Sequence, residues 1–495
     1  MTFSAQKACQ MSARAAAVER LRCAARADQN RLSEKAIEAL RRSTEQLLQV
    51  TGLSAEAEYD RFVKIAERGL KLDDRAIRRH LAGKKVLVTG GTGCIGTKLL
   101  GQLSLYDPAR IASISRGITK PAKVVDGVEY LIGDVRSLYV MRDTVRALKP
   151  DIVFHLAAQH DPGLAENEVP RSLGTNIAGT RHVIDAARRG AVEQIVYAST
   201  GKAMRLLSTE VYAASKKASE ALMAGAAQSG DILASGVRFT HVVDNSIIHE
   251  RLRNWIDAQE PIRLHDTDIL FYVQSALESA QLLMDACLNA EPKTLRLEAI
   301  RDLDWPISLL DMTVGALARN RSGSPIYVCG YEAGYQEMPY PALFDSLVSG
   351  DVSPLINAFE AADVTESRTC AELDVFPFTI DITPKLQAGV ETLCDLCERS
   401  DDSHGMKREL AQLSWAMLDA RLAKVSLPLL RRSVKIMEAD PNYGRLPAIH
   451  QRTNEAVKAA IERRTSDGTP HRGPMQTTNL QSSTEDKQCD FQPGP

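Results

Sequence analysis

Apolar positions change their period twice along the chain. Between 31 and 81 they recur at helical spacing, with Leu32, Ile37, Leu40, Leu47 and Leu48 near one face. Gly52 breaks the run, and Ser54 stands where it can cap a second helix. The pattern predicts a helical N-terminal extension over 1–82, built for packing or oligomerisation. At Lys84 the period switches. The stretch KKVLVTGGTGCIGTKLL (84–100) reads as a short β-branched strand, a Gly-rich turn and a helix. Further apolar strands follow at RIASIS, VEYLIG, DIVFHLA, EQIVYAS and SGVRFT, with helical segments such as LYVMRDTVRALK and RSLGTNIAGTRHVIDAARR between most of them. Continuous apolar strands alternating with helices predict a parallel sheet covered on both faces. The fold class expected is α/β, a Rossmann-type doubly wound domain over 83–330 with helical N- and C-terminal extensions.

From 331 the pattern loosens into a stretch rich in Gly, Pro and Tyr, as a surface loop would be. Helical spacing returns over 404–464, with Leu410, Leu413, Met417, Leu418 and Leu422 at core positions. This defines a loop-rich, then helical region over 331–465. The polar, Gly/Pro-rich residues 466–495 lack the apolar content to fold, and a disordered tail is expected there.

Composition narrows the class without naming it. Hydrophobic residues make up 44% and charged residues 25%, with a formal net charge of -2. Nothing global points to nucleic acid or to a membrane surface. No apolar run reaches the ~18 residues of a membrane helix. The Ala- and Arg-rich N-terminus lacks the apolar core of a secretory signal, and Glu19 and Asp28 do not suit a transit peptide. The nine cysteines follow no framework spacing, and Cys394 and Cys397 form a lone C-x-x-C without a second pair for zinc. Reduced thiols in a cytoplasmic protein are expected.

Chemistry enters at the Gly-rich turn, where three glycines close a strand and open a helix. Gly90 permits the tight turn, Gly93 lets the backbone approach a pyrophosphate, and Gly96 lets the helix pack against the sheet. Cys94 and Ile95 begin the helix, whose free N–H groups suit phosphates. The second strand ends in Ser115 and Arg116 where a carboxylate would bind the ribose of NAD. A guanidinium suits a 2′-phosphate, so NADP is expected, with NAD as the alternative. Asp134 ends the third strand, placed either for the adenine amino group or as a helix cap.

Further on, Tyr212 precedes Lys216 by four residues, so a helix puts both on one face. A free tyrosine has a pKa of about 10, and a neighbouring ammonium favours the phenolate. Thr200 or Ser199, at the end of the preceding strand, offers a hydroxyl to a substrate oxygen. Such a trio removes a hydroxyl proton while hydride leaves the same carbon.

As a set, TGGTGCIG, Ser115-Arg116, GDVR at 133–136, HLAA at 155–158, TNIAGT at 175–180, STGKA at 199–203 and the Tyr212/Lys216 pair make the chain resemble an extended short-chain dehydrogenase/reductase. It is most similar to the UDP-N-acetylglucosamine 4,6-dehydratase branch of polysaccharide biosynthesis, over about 84–285. The resemblance implies Tyr212 as base, Lys216 as its activator and ribose ligand, Thr200 as the group orienting the substrate hydroxyl, and Lys202 as the base α to the new carbonyl. It extends the cofactor site to Val135, Ala157, Ala158 and Asn176, beside Tyr212 and Lys216. It also implies a small-molecule sugar substrate, nucleotide-linked, and a homo-oligomer. Three positions depart from the branch. Gly201 replaces an aspartate that protonates the leaving hydroxyl, His160 replaces a lysine, and Leu270 replaces an arginine that holds the substrate diphosphate. Asp161 or Glu210 is then the candidate acid, and Arg263 or Arg238 the candidate clamp. The expected activity is an NAD(P)-dependent sugar oxidoreductase, epimerase or dehydratase working through a keto intermediate. The rival reading is a non-catalytic nucleotide-binding scaffold.

Overall fold

Five short runs of β-branched and aliphatic residues, each buried on both faces or nearly so, build the centre of one sheet: β1 (Lys85–Thr89), β2 (Arg110–Ser115), β4 (Ile152–His155), β5 (Gln194–Thr200) and β6 (Leu233–Phe239). The less buried β3 (Val128–Ile132) forms its edge. In the computed structural model, which describes residues 3–27, 31–118, 121, 123–245, 247–331, 352–380, 382–441 and 443–466, these strands are all parallel. Val86 faces Ile111 on one side and Ile152 on the other, so β1 lies between β2 and β4. Strand order reverses there, and a crevice opens at the C-terminal ends of β1 and β4. The sheet is the Rossmann-type one that the alternation predicts.

Small strands follow: β7 (His241–Val242), β8 (Ile262–Leu264), β9 (Leu270–Phe271) and β10 (Val273–Gln274). Then β11 (Arg296–Ile300) joins the main sheet parallel to β6. After β12 (Ile307–Ser308) and β13 (Ile326–Val328), β15 (Leu373–Pro377) extends the same sheet antiparallel to β11, and β14 (Thr365–Glu366) pairs antiparallel to β15 at the edge. The sheet therefore crosses the boundary expected at 330. β15 pairs with β11 along five residues, a long-range pairing that a local reading of a loop-rich stretch does not carry. The turn-rich residues 332–351 and the tail 467–495 lie outside the described residues.

The N-terminal extension is α1 (Phe3–Cys23), α2 (Glu34–Lys64) and α3 (Asp74–Leu81). The break expected at Gly52 is absent. α2 is capped by Ser33, which accepts from Ala36 N at 3.2 Å, and Ser54 donates to Thr51 O at 2.8 Å as an interior helical residue. A mid-helix glycine costs about 1 kcal/mol, and packing outweighs it. Leu40, Leu47 and Phe62 are buried in one cluster with Ile262, Leu264, Leu310, Leu317 and Ile326.

The sheet's faces are covered by α4 (Cys94–Leu103), α5 (Leu138–Leu148), α6 (Pro162–Asn167), α7 (Val169–Leu173), α8 (Gly179–Arg189) and α9 (Val211–Ser229). A second lobe contains α10 (Ile247–Asp257), while α11 (Ala276–Ala286) returns to the sheet and α12 (Leu309–Asn320) crosses α2. Four helices, Pro384–Arg399, Ser403–Leu422, Leu427–Ala439 and Ala448–Ser466, end the described chain. No helix among the described residues is long and apolar enough to cross a membrane.

Candidate active site

The Gly-rich turn sits at the crevice. Gly90 has φ +77°, and a Cβ there would fall 2.8 Å from Ala157 N, so the turn touches the chain leaving β4. A Cβ at Gly96 would lie 2.5 Å from Gly90 O, which brings α4 hard against the turn. Gly93 stands at the N-cap without a side-chain cap, leaving the first N–H groups of α4 available to an anion. Burial pushes the Cys94 thiol up to about 11, so it is a neutral neighbour, and Ile95 is half-buried beside it.

Ser115 is half-buried and Arg116 exposed at the end of β2. Asp134 is not the helix cap: Ser137 caps α5, accepting from Val140 N at 3.4 Å. Burial pushes the Asp134 carboxyl up, but hydrogen bonds from Arg136 Nε (2.9 Å), Nη2 (2.7 Å) and N (2.9 Å), helped by the charge of Arg116, hold it below its ordinary value. Val135 is buried and its carbonyl accepts from His182 Nδ1 at 3.0 Å. Ala157 N donates to Thr89 Oγ1 at 3.2 Å, and Ala158 is half-buried next to it. Asn176 lies in a π-helical turn, Gly174–Ala178, a form common at functional sites. Its amide is taken up by the chain itself: Oδ1 accepts from Gln159 N (2.8 Å), and Nδ2 donates to Gln159 O (3.2 Å) and Ser215 Oγ (2.9 Å). These bonds tie the loop after β4 to α9.

α9 starts at Val211, so Tyr212 and Lys216 are one turn apart on one face. Thr200, at the end of β5, acts on the Tyr212 phenol through its side chain. Burial pushes the phenol up to about 12, Thr200 pulls it down, and the charge of Glu210 pushes it up. This corrects the expectation that Lys216 lowers it. Lys216 Nζ instead donates to Ala198 O at 2.6 Å and lies 4.2 Å over the Tyr197 ring. Burial drives its own pKa down to about 7, against the pull of Glu220. Lys216 is buried and Tyr212 partly so, and at both the cost of desolvation is the largest effect.

Lys202 Nζ lies 3.5 Å from Glu210 Oε1, and Arg205 Nη1 donates to Glu210 Oε2 at 2.9 Å. The candidate acid Glu210 is thus committed to two cations. Asp161 accepts from Leu164 N at 3.1 Å as the cap of α6 and stands 3.6 Å from Arg251. His160 is exposed beside it. Arg238 cannot be a phosphate clamp, because its side chain is fully buried between Glu220 and Glu360 with bonds of 2.7–3.0 Å to both. Arg263 is exposed on β8, its guanidinium 5.9 Å from the Tyr327 ring, and Leu270 is exposed on β9. Gly201 has an unexpected neighbour: a Cβ there would fall 2.7 Å from Leu355 Cδ2.

Sequence reasoning missed Glu166, Lys217, Glu220, Leu355 and Asn357. Glu220 had a signal, since it continues the row Tyr212, Lys216 by one more turn. Leu355 and Asn357 reach the site from more than a hundred residues away, where no local pattern points.

The parallel sheet, its reversed strand order and the glycine turn define a domain of Rossmann type. Residues 86–312 match the model of a family described as polysaccharide biosynthesis protein. The chain is 26% identical over 279 residues to the capsular polysaccharide biosynthesis protein CapD of Staphylococcus aureus, covering 52% of this chain and 46% of that protein. It is 35% identical over 152 residues to the UDP-N-acetylglucosamine 4,6-dehydratase (inverting) of Campylobacter jejuni, covering 29% of this chain and 44% of the relative. The chain spans less than half the length of each of these two relatives. Among solved structures, Pen from Bacillus thuringiensis is similar at TM-score 0.49 and 22% identity, covering 60% of this chain and 88% of that one.

Proposed function

We propose that the protein is an NAD(P)-dependent enzyme that oxidises a carbinol of a nucleotide-linked sugar to a ketone, in a polysaccharide or related biosynthetic route. The observation that carries this reading is the placement of Tyr212, with Lys216 one turn further on α9, beside Thr200 at the end of β5, in a sheet whose neighbouring turn is Gly90–Gly96. The relatives' names support the substrate class. The close backbone at Gly90 and Gly96 and the uncapped start of α4 fit a dinucleotide. Arg116, exposed at the end of β2, favours NADP over NAD by offering its guanidinium to a 2′-phosphate. When bound, such a cofactor supplies a hydride acceptor.

The chain's residues do the rest. Thr200 donates to or accepts from the substrate hydroxyl and holds it beside Tyr212. Tyr212 O takes that hydroxyl's proton as the phenol's own proton passes to the amine of Lys216, which is close to its half-protonated point at neutral pH. Lys202, held near Glu210, is placed to act on the proton α to the new carbonyl. At Gly201 the space where an acidic side chain would stand is filled by the apolar Leu355, so no proton donor serves a leaving hydroxyl from that position.

The test is to incubate UDP-, dTDP- and CDP-linked sugars with NADP or NAD and to weigh the products. The expected product keeps the substrate's mass or is lighter by two hydrogens. A product lighter by one water, with the cofactor back at its starting redox state, would make this a dehydratase with a relocated acid. Binding without turnover across the panel would overturn the enzyme reading in favour of a scaffold.

A further inference from the structure

The loop Gly201–Glu210 links Thr200 and Lys202 to Tyr212. Its course decides whether the two hydroxyls meet. We propose that the C-terminal region is a working part of the active site, holding this loop and the first turn of α9, with Asn357, Glu360 and Lys407 as positioning residues. Only the kinetic side of this proposal rests on the function proposed above.

Three independent ties carry it. The first is apolar. Leu206 and Leu207, in the middle of the loop, are 3% and 5% exposed, and they belong to the hydrophobic core of the C-terminal helices with Phe359, Leu418, Leu422 and Leu430. The loop is thus anchored in that core and not in the core of the sheet.

The second tie is polar and buried. Asn357 Nδ2 donates to Met204 O at 2.9 Å, while its Oδ1 accepts from Phe359 N (3.0 Å) and Glu360 N (3.1 Å). One side chain therefore fixes its own turn and the loop together. Beside it, Glu360 binds Arg238, Arg238 binds Glu220, and Glu220 Oε1 accepts from Ser199 Oγ at 2.6 Å. Arg238 Nη1 also donates to Leu355 O at 3.2 Å, seating the residue that packs on Gly201. A chain of charge-assisted bonds so runs from the C-terminal segment to the residue before Thr200. From the other side, Lys217 Nζ donates to Ala203 O at 3.2 Å and to Arg205 O.

The third tie is at the start of α9. Glu210, the N-cap residue, makes no side-chain cap bond. Glu166 of α6 fills the gap: its Oε1 accepts from Val211 N at 2.7 Å, the residue before Tyr212. Lys407, from the helix Ser403–Leu422, holds the other oxygen of Glu166 at 2.6 Å. A carboxylate at a helix N-terminus is stabilising only while it stays in place, and Lys407 keeps it there.

Two variants test this. Asn357→Ala removes the buried bond to Met204. Lys407→Ala alters a side chain that is 40% exposed, so folding is not at stake. Backbone amide exchange is read over 200–212, with β1 as internal control, and kcat and KM are read on the substrate found by the panel above. In both variants, exchange over 200–212 should quicken several-fold to about tenfold, the size of one lost hydrogen bond, with β1 unchanged. Turnover should fall by a similar factor while KM for the cofactor stays within about twofold. Lys407→Arg should restore both. Unchanged exchange over 200–212 in both variants overturns the proposal, as does a Lys407→Arg protein that behaves like Lys407→Ala. If the wild-type chain turns over nothing, the function proposed above fails, while the exchange measurement still decides this inference.

Discussion

At Lys216 the cost of burying an ammonium meets the pull of Glu220, and burial wins, setting the pKa at about 7 instead of 10.5. The unfolded chain keeps that proton up to about 10.4. Between the two values the unfolded state binds more protons, so stability rises with pH through this window, by about 1.4 kcal/mol per unit at most, and is flat below it. Lys216→Met removes the effect. Stability of the wild type minus that of the variant, from urea melts at several pH values, should climb between pH 7 and 10.5. A flat difference would show an ordinary lysine. Tyr212→Phe removes the proton acceptor and leaves the glycine turn intact. Cofactor affinity should hold while turnover drops by about 10²–10⁴, and a Tyr212→Phe protein with near-normal turnover would sink the assignment. Gly201→Asp alone must displace Leu355, an overpacking worth about 1–3 kcal/mol. Combined with Leu355→Ala the penalty should shrink well below the sum, by about 0.5–3 kcal/mol of coupling. Strict additivity in thermal melts would mean that the two positions do not meet.

At the scale of elements, the strands of the sheet were legible because each is a short apolar run closed by turn residues, and the glycine turn because strand and helix flank it. The Tyr212–Lys216 face was legible from a spacing of four. What stayed hidden has a common cause. The continuity of α2 through Gly52, the edge pairing of β15 on β11 and the approach of Leu355 to Gly201 are all decided by residues distant in sequence. The raised phenol of Tyr212 was hidden too, since burial is a property of the fold and not of the motif. Close helix crossing makes the same point in a testable form. A Cβ at Gly315 of α12 would fall 2.0 Å from Ala55 O of α2, a backbone atom that cannot swing aside, whereas Gly101 of α4 has open space around its missing Cβ. Gly315→Ala should therefore lower the melting temperature markedly, and Gly101→Ala should raise it slightly, through about 0.4–1 kcal/mol of added stability from reduced unfolded-state entropy. Equal effects from the two substitutions would contradict this crossing.

Across the whole molecule, α1, α2 and the second lobe share one hydrophobic cluster, separate from the sheet's, to which α3 belongs. α2 supplies Leu40, Leu47 and Phe62, none more than 1% exposed. It also supplies Thr44, whose Oγ1 accepts from Ile326 N at 2.9 Å in a buried position on β13. Fully burying a large apolar side chain is worth about 1.5–3 kcal/mol, so these three alone rival a domain's net stability of about 5–15 kcal/mol. An unsatisfied Ile326 N–H adds about 1–3 kcal/mol to the cost of losing α2. A chain beginning at Ile65 should therefore lose the second lobe, seen as rapid proteolysis within 247–328, and with it any turnover of a sugar substrate. Cofactor binding should persist, because the turn from Gly90 to Gly96 and its strands belong to the other cluster. The measurements are limited proteolysis read by mass spectrometry and a cofactor titration on the same truncated protein. Protection over 247–328 equal to that of the full chain would show that the lobe stands without its N-terminal helices.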